Sequence, residues 1–98
     1  MDDYKMYRNF AFGILKRLCE RVNGKIEYKI YVDLDAIIFN ITFKDFKFDY
    51  AIKDVTNLVL TGDTDTPVED LLSKYRNVVL GAFFKSKNYT KRGEQNYV

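Results

Sequence analysis

From Lys25 to Lys53 the chain alternates apolar and polar residues, and no other feature restricts its fold as tightly. Ile26, Tyr28, Ile30 and Val32 share one face of an extended strand, with Lys25, Glu27, Lys29 and Tyr31 on the other. Ile37, Phe39, Ile41 and Phe43 repeat the pattern, and so do Phe46, Phe48, Tyr50 and Ile52. Three such runs, rich in β-branched and aromatic residues, read as half-buried strands. Connections this short join only antiparallel neighbours, so the unit is a β-meander.

The apolar face also suggests the register. A two-residue turn at Lys44-Asp45 sets Phe43 opposite Phe46, Ile41 opposite Phe48 and Phe39 opposite Tyr50. A turn at Asp33-Leu34-Asp35 sets Val32 opposite Ile37 and Ile30 opposite Phe39, with Asn40 between Lys29 and Asp49. Slipping a strand by one residue would turn its whole apolar set to water. The other face mixes Lys25, Lys29, Lys47 and Lys53 with Glu27 and Asp49, and Tyr31 is nearly its only aromatic. It reads as a solvated face rather than a platform for stacking bases.

Helices flank the meander. Tyr4, Tyr7, Ala11, Ile14, Leu15, Leu18 and Val22 follow helical spacing behind a cap at Asp2 or Asp3, and Asn23-Gly24 predicts a left-handed stop. Asp54 as a cap, then Val55, Leu58, Val59 and a stop at Gly62 predict a short helix over 54–62; a fourth edge strand is the alternative. Thr66-Pro67-Val68-Glu69 supplies a cap, a proline at the first helical position and a glutamate to return the hydrogen bond. Val68, Leu71, Leu72, Tyr75, Val78, Val79, Ala82 and Phe83 then form a broad apolar stripe ending near Lys85.

The expectation is one two-layer α+β domain over residues 1–86, in the order α-β-β-β-(short α)-α. Its long N-terminal and C-terminal helices cover one face of the three-stranded antiparallel meander. Residues 87–98 lack periodicity and read as a basic, mobile C-terminal tail.

Cys19 is the one cysteine, so no internal disulfide can form, and a reducing cytoplasmic location is expected. No apolar run approaches membrane-spanning length, and MDDYKMYRNF lacks the basic start of a signal peptide, so no membrane partner is expected. Favoured Lys, Asn, Ile, Tyr and Phe have AT-rich codons, which points to a low-GC bacterium, its phage or a mobile element.

Most common catalytic designs find no residues here. Without histidine there is no Ser-His-Asp triad, no Cys-His pair and no histidine-ligated zinc. Neither glycine-rich phosphate loop occurs. No catalytic, cofactor-binding or metal-ligating residues are therefore expected, and no cofactor. Asp63, Asp65, Glu69 and Asp70 form the one carboxylate cluster. A cation or a small hydrolase at Asp63–Asp70 is the third functional reading; helix N-termini attract acidic residues without any such role.

The order helix, three-stranded meander, helix over residues 3–85 resembles that of double-stranded RNA-binding domains, which implies an RNA ligand. Where that family carries a lysine cluster at the start of its last helix, this chain reads TPVEDLLSK. DLDA stands in place of its Gly-Pro-containing strand loop. The likeness is one of element order, and no family is assigned.

The leading reading is a non-catalytic protein-interaction module, such as a phage or mobile-element accessory protein that binds and modulates a host or defence protein. Met6 and Phe10 lie one turn apart on the first helix, with Arg17 along the same side. Leu80 and Phe84 are likewise one turn apart on the last helix, with Arg76 one turn earlier. Aromatic residues beside arginine have the composition of an interface centre, so at least one pair is expected to contact a target or a second copy in a homodimer. The alternative is nucleic-acid binding through Lys5, Arg8, Lys16, Arg17 and Arg21 of the first helix with Lys85, Lys87, Lys91 and Arg92 of the tail. A net charge of +2 is too small to favour a polyanion by itself.

Overall fold

A computed structural model describes the backbone of residues 3–95 and the side chains of residues 3–82. Helix α1 (Asp3–Cys19) leads into strands β1 (Lys25–Tyr31), β2 (Ala36–Phe43) and β3 (Phe46–Lys53), then α2 (Val55–Thr61) and α3 (Asp65–Gln95). The strands form one antiparallel sheet in the order β1-β2-β3. This is the α+β layout expected from the alternation.

Strands β2 and β3 pair as the apolar face dictates: Phe39 opposite Tyr50, Ile41 opposite Phe48, and Phe43 opposite Phe46 across Lys44-Asp45. Strand β1 differs by two residues. Ile30 pairs with Ile37 and Tyr28 with Phe39, so Val32 and Ile30 do not face Ile37 and Phe39 as anticipated, and Asn40 faces Glu27 rather than Lys29. Val32–Leu34 leave the strand as a 3-10 turn, and Asp35 completes it in the left-handed region at φ 51°. A slip of two residues keeps every side chain on its face, so alternation cannot detect it.

The Asp35 side chain holds that turn to two helices. Its carboxylate accepts the Tyr7 hydroxyl at 2.5 Å, the Thr56 amide at 2.9 Å and the Thr56 hydroxyl at 2.8 Å, while its carbonyl accepts the Val55 amide. Asp35 thus satisfies the free amides that open α2. Asp54, the expected cap, sits at φ 55° and makes no capping bond with its side chain. Helix α2 settles the choice between helix and edge strand, and it ends as anticipated: Gly62 is left-handed, and the Asp63 amide reaches back to the Leu58 carbonyl.

Three other helix ends depart from expectation. Helix α1 stops at Cys19, and Asn23 and Gly24 are not left-handed. The chain turns early because Val22 enters the core and the Asn23 amide donates to the Tyr75 hydroxyl at 3.0 Å. Gly24 is needed for a close approach: a Cβ there would strike the Thr42 carbonyl of β2. Helix α3 opens at Asp65, with the Asp63 carboxylate accepting the Thr66 amide, so Thr66 and Pro67 lie inside its first turn. It continues ten residues past Lys85, through a segment with no proline and several good helix formers. The expected tail, residues 87–98, lies outside the residues with described side chains.

The helices cover one sheet face. Phe39, Ile37, Ile41, Phe48 and Ile52 of the sheet meet Ile14 and Leu18 of α1, Val55 of α2, and Val68, Leu71 and Leu72 of α3. No polar or charged side chain is buried among the described residues.

Candidate functional site: a groove beside the first helix

Four residues of α1 are spaced four, three and four apart, and three of them line a surface groove. Met6, Phe10, Gly13 and Arg17 run in one row at the edge of the buried stripe. Met6, Phe10 and Gly13 wall one side of an apolar groove of about 550 Å³, and Val59, Gly62 and Thr64 wall the other. Lys5 and Asn9 stand at its rim. Arg17 donates to the hydroxyl of the lining residue Thr64 at 3.1 Å and to the Asp65 carboxylate at 2.7 Å.

Gly13 keeps the groove open. It lies in the middle of α1, where glycine costs about 1 kcal/mol relative to alanine. A Cβ at Gly13 would meet nothing within 4 Å, so packing inside the chain does not require the glycine. Gly62 forms the opposite wall because the left-handed end of α2 brings the chain round there.

The residues nominated from sequence are dispersed. Phe10 is only 8% exposed and belongs to the core, showing an edge to the groove, while Met6 is half-buried. Arg76 and Leu80 are exposed on α3, and the Phe84 side chain lies outside the described residues. Helices α1 and α3 run in step, since Arg17 meets Asp65 and Arg21 lies 3.7 Å from Glu69. Leu80 therefore projects past the α1 C-terminus, far from Met6. Sequence reading passed over Gly13, Val59, Gly62 and Thr64; an unexplained glycine inside an otherwise regular helix was the available signal.

The basic set is divided. Arg17 and Arg21 face carboxylates of α3, whereas Lys5, Arg8 and Lys16 are exposed and form no ion pair among the described residues. Lys85, Lys87, Lys91 and Arg92 lie outside the residues with described side chains. The open sheet face keeps its mixed sign, with Lys25 3.7 Å from Glu27.

Each carboxylate of the 63–70 segment has a structural partner. The Thr66 amide, then its hydroxyl, hold the Asp63 carboxyl below the usual carboxylate range. Asp65 and Glu69 face the two arginines, and Asp70 accepts the Tyr50 hydroxyl at 3.2 Å. Burial and the nearby Asp70 charge push the Tyr50 phenol up. No group of three or more potential metal ligands occurs among the described residues. Cys19 is exposed, and no described helix is long and apolar enough to cross a membrane.

Comparison with protein-family models, curated proteins and solved structures finds no match to this chain.

Proposed function

We propose that this protein is a non-catalytic interaction module whose groove beside α1 receives a helix of a partner protein. The observation that carries this reading is Gly13: a glycine inside a helix, unnecessary to the chain's own packing, in the wall of an apolar groove. Apolar grooves along a helix accept the knobs of another helix spaced three and four residues apart, the spacing of the Met6–Phe10–Gly13 row itself. With no side chain at Gly13, a partner backbone can come close. Arg17, fixed by Thr64 and Asp65, defines where the partner stops.

A photo-cross-linking residue in place of Asn9, introduced in the organism that carries the gene, tests the reading, with the same residue at Lys47 on the open sheet face as the control. The expected result is a discrete protein adduct from Asn9 and none from Lys47, lost when Met6→Glu is added. Adducts from Lys47 alone, or an Asn9 adduct indifferent to Met6→Glu, would place the contact elsewhere.

A further inference from the structure

Between Asp3 and Glu20, α1 carries Lys5, Arg8, Lys16 and Arg17 and no carboxylate. Among the described residues Arg17 alone of these forms an ion pair or side-chain hydrogen bond, with Thr64 and Asp65. Beside the Met6–Phe10–Gly13–Arg17 row runs a second with the same four-three-four spacing: Lys5, Asn9, Phe12 and Lys16. All four are exposed, Phe12 to 58%. Lys5 and Asn9 of this row line the groove, and Phe12 and Lys16 continue it along α1, so an aromatic and an amide stand between two cations lacking counter-charges among the described residues.

The spacing of the cations matches a helix. Eleven residues at about 1.5 Å rise put Lys5 and Lys16 about 16 Å apart, along three turns of α1. On a partner helix, residues eleven apart return to one face at the same separation. We propose that the occupant of the groove is an acidic amphipathic helix lying along α1. Its apolar stripe covers Met6, Phe10 and Gly13, and two carboxylates three turns apart meet Lys5 and Lys16. The proposal rests on the groove being the docking face, and it adds the charge and geometry of the partner. A nucleic-acid strand fits less well. The far wall of the groove leads into Asp63 and Asp65, and an apolar floor offers phosphates no donors.

The test uses two fluorescent, stapled helical peptides of about five turns with one shared apolar stripe. One carries glutamates three turns apart beside the stripe and the other carries lysines there; a labelled RNA duplex is the third probe. Wild-type protein should bind the glutamate peptide at least about tenfold more tightly than the lysine peptide, with the difference shrinking as salt rises. The double variant Lys5→Glu/Lys16→Glu should reverse the preference. Equal binding of both peptides, abolished by Met6→Glu, would keep the groove as the docking face and overturn the acidic partner. Binding of neither peptide, or binding indifferent to Met6→Glu, would overturn both readings. RNA binding that outcompetes the glutamate peptide would overturn the protein partner in favour of a nucleic acid.

Discussion

Asp35 is the residue on which most of the molecule's local geometry converges. It completes the 3-10 turn in a left-handed conformation, opens α2 by accepting two of its amides, and takes the Tyr7 hydroxyl of α1. The Tyr7 hydroxyl, then Thr56, hold the Asp35 carboxyl below the ordinary carboxylate range, and the same bond to Asp35 raises the Tyr7 phenol. A carboxyl depressed in the folded state contributes stability that is lost as pH falls through its folded pKa. A raised phenol contributes stability that is lost as pH rises through its own. Asp35→Ala should therefore destabilise the protein by about 1–3 kcal/mol in denaturant melts near neutral pH. In Asp35→Asn, the stability profile should be flatter at both extremes. Gly24→Ala, which drives a methyl group into the Thr42 carbonyl, should cost about 1–3 kcal/mol by the same measurement.

At the scale of elements, burial decides what a substitution does. Phe48 lies on the covered face opposite Ile41, so Phe48→Asp should unfold the protein, because a carboxylate there loses its water and the ring's apolar contacts, even with the Lys74 ammonium 5.6 Å from the ring centre. Its neighbour Asp49 is exposed; its carboxylate accepts the Asn40 side-chain amide, and the Lys74 ammonium bonds its backbone carbonyl, which alanine keeps, so Asp49→Ala should stay within about 0.5 kcal/mol of wild type. Circular dichroism melts of both variants check this pair. The meander, its faces and the β2–β3 register were legible in the sequence because period-two alternation records which side of a strand is covered. The β1 register was not, because a two-residue slip preserves that alternation while the deciding contacts, from Asp35 to Tyr7 and Thr56, join residues far apart in the chain. The end of α1 failed for the same reason, though the Gly62 stop of α2 held: Asn23-Gly24 looks like a stop, but the Tyr75 hydroxyl and the Thr42 carbonyl fix the chain there. Half of the candidate site was legible, in the Met6–Phe10–Arg17 row of α1. The other wall depends on where α2 packs, which no local pattern encodes.

Across the whole molecule, Tyr75 is the last buried residue of α3 among the described side chains, with Val78 and Val79 half-buried beyond it, while the helix itself reaches Gln95. Truncation after Lys87 should leave unfolding free energy within about 1 kcal/mol of wild type, measured by urea titration. The sheet has one covered and one open face, and the open face's mixed charges keep it wet; the groove beside α1 is where apolar surface meets unpaired cations. That makes Gly13 the most direct test of the account, since its value to the fold and to a partner have opposite signs. Gly13→Leu replaces a poor helix former with a good one in open space, so the thermal midpoint should rise by several degrees, from about 0.8 kcal/mol of helix propensity. The same leucine fills the groove, so the cross-link from Asn9 to the partner should disappear. A variant that is more stable and no longer cross-links is the predicted result; one that cross-links as wild type does would show that the groove is not the docking face.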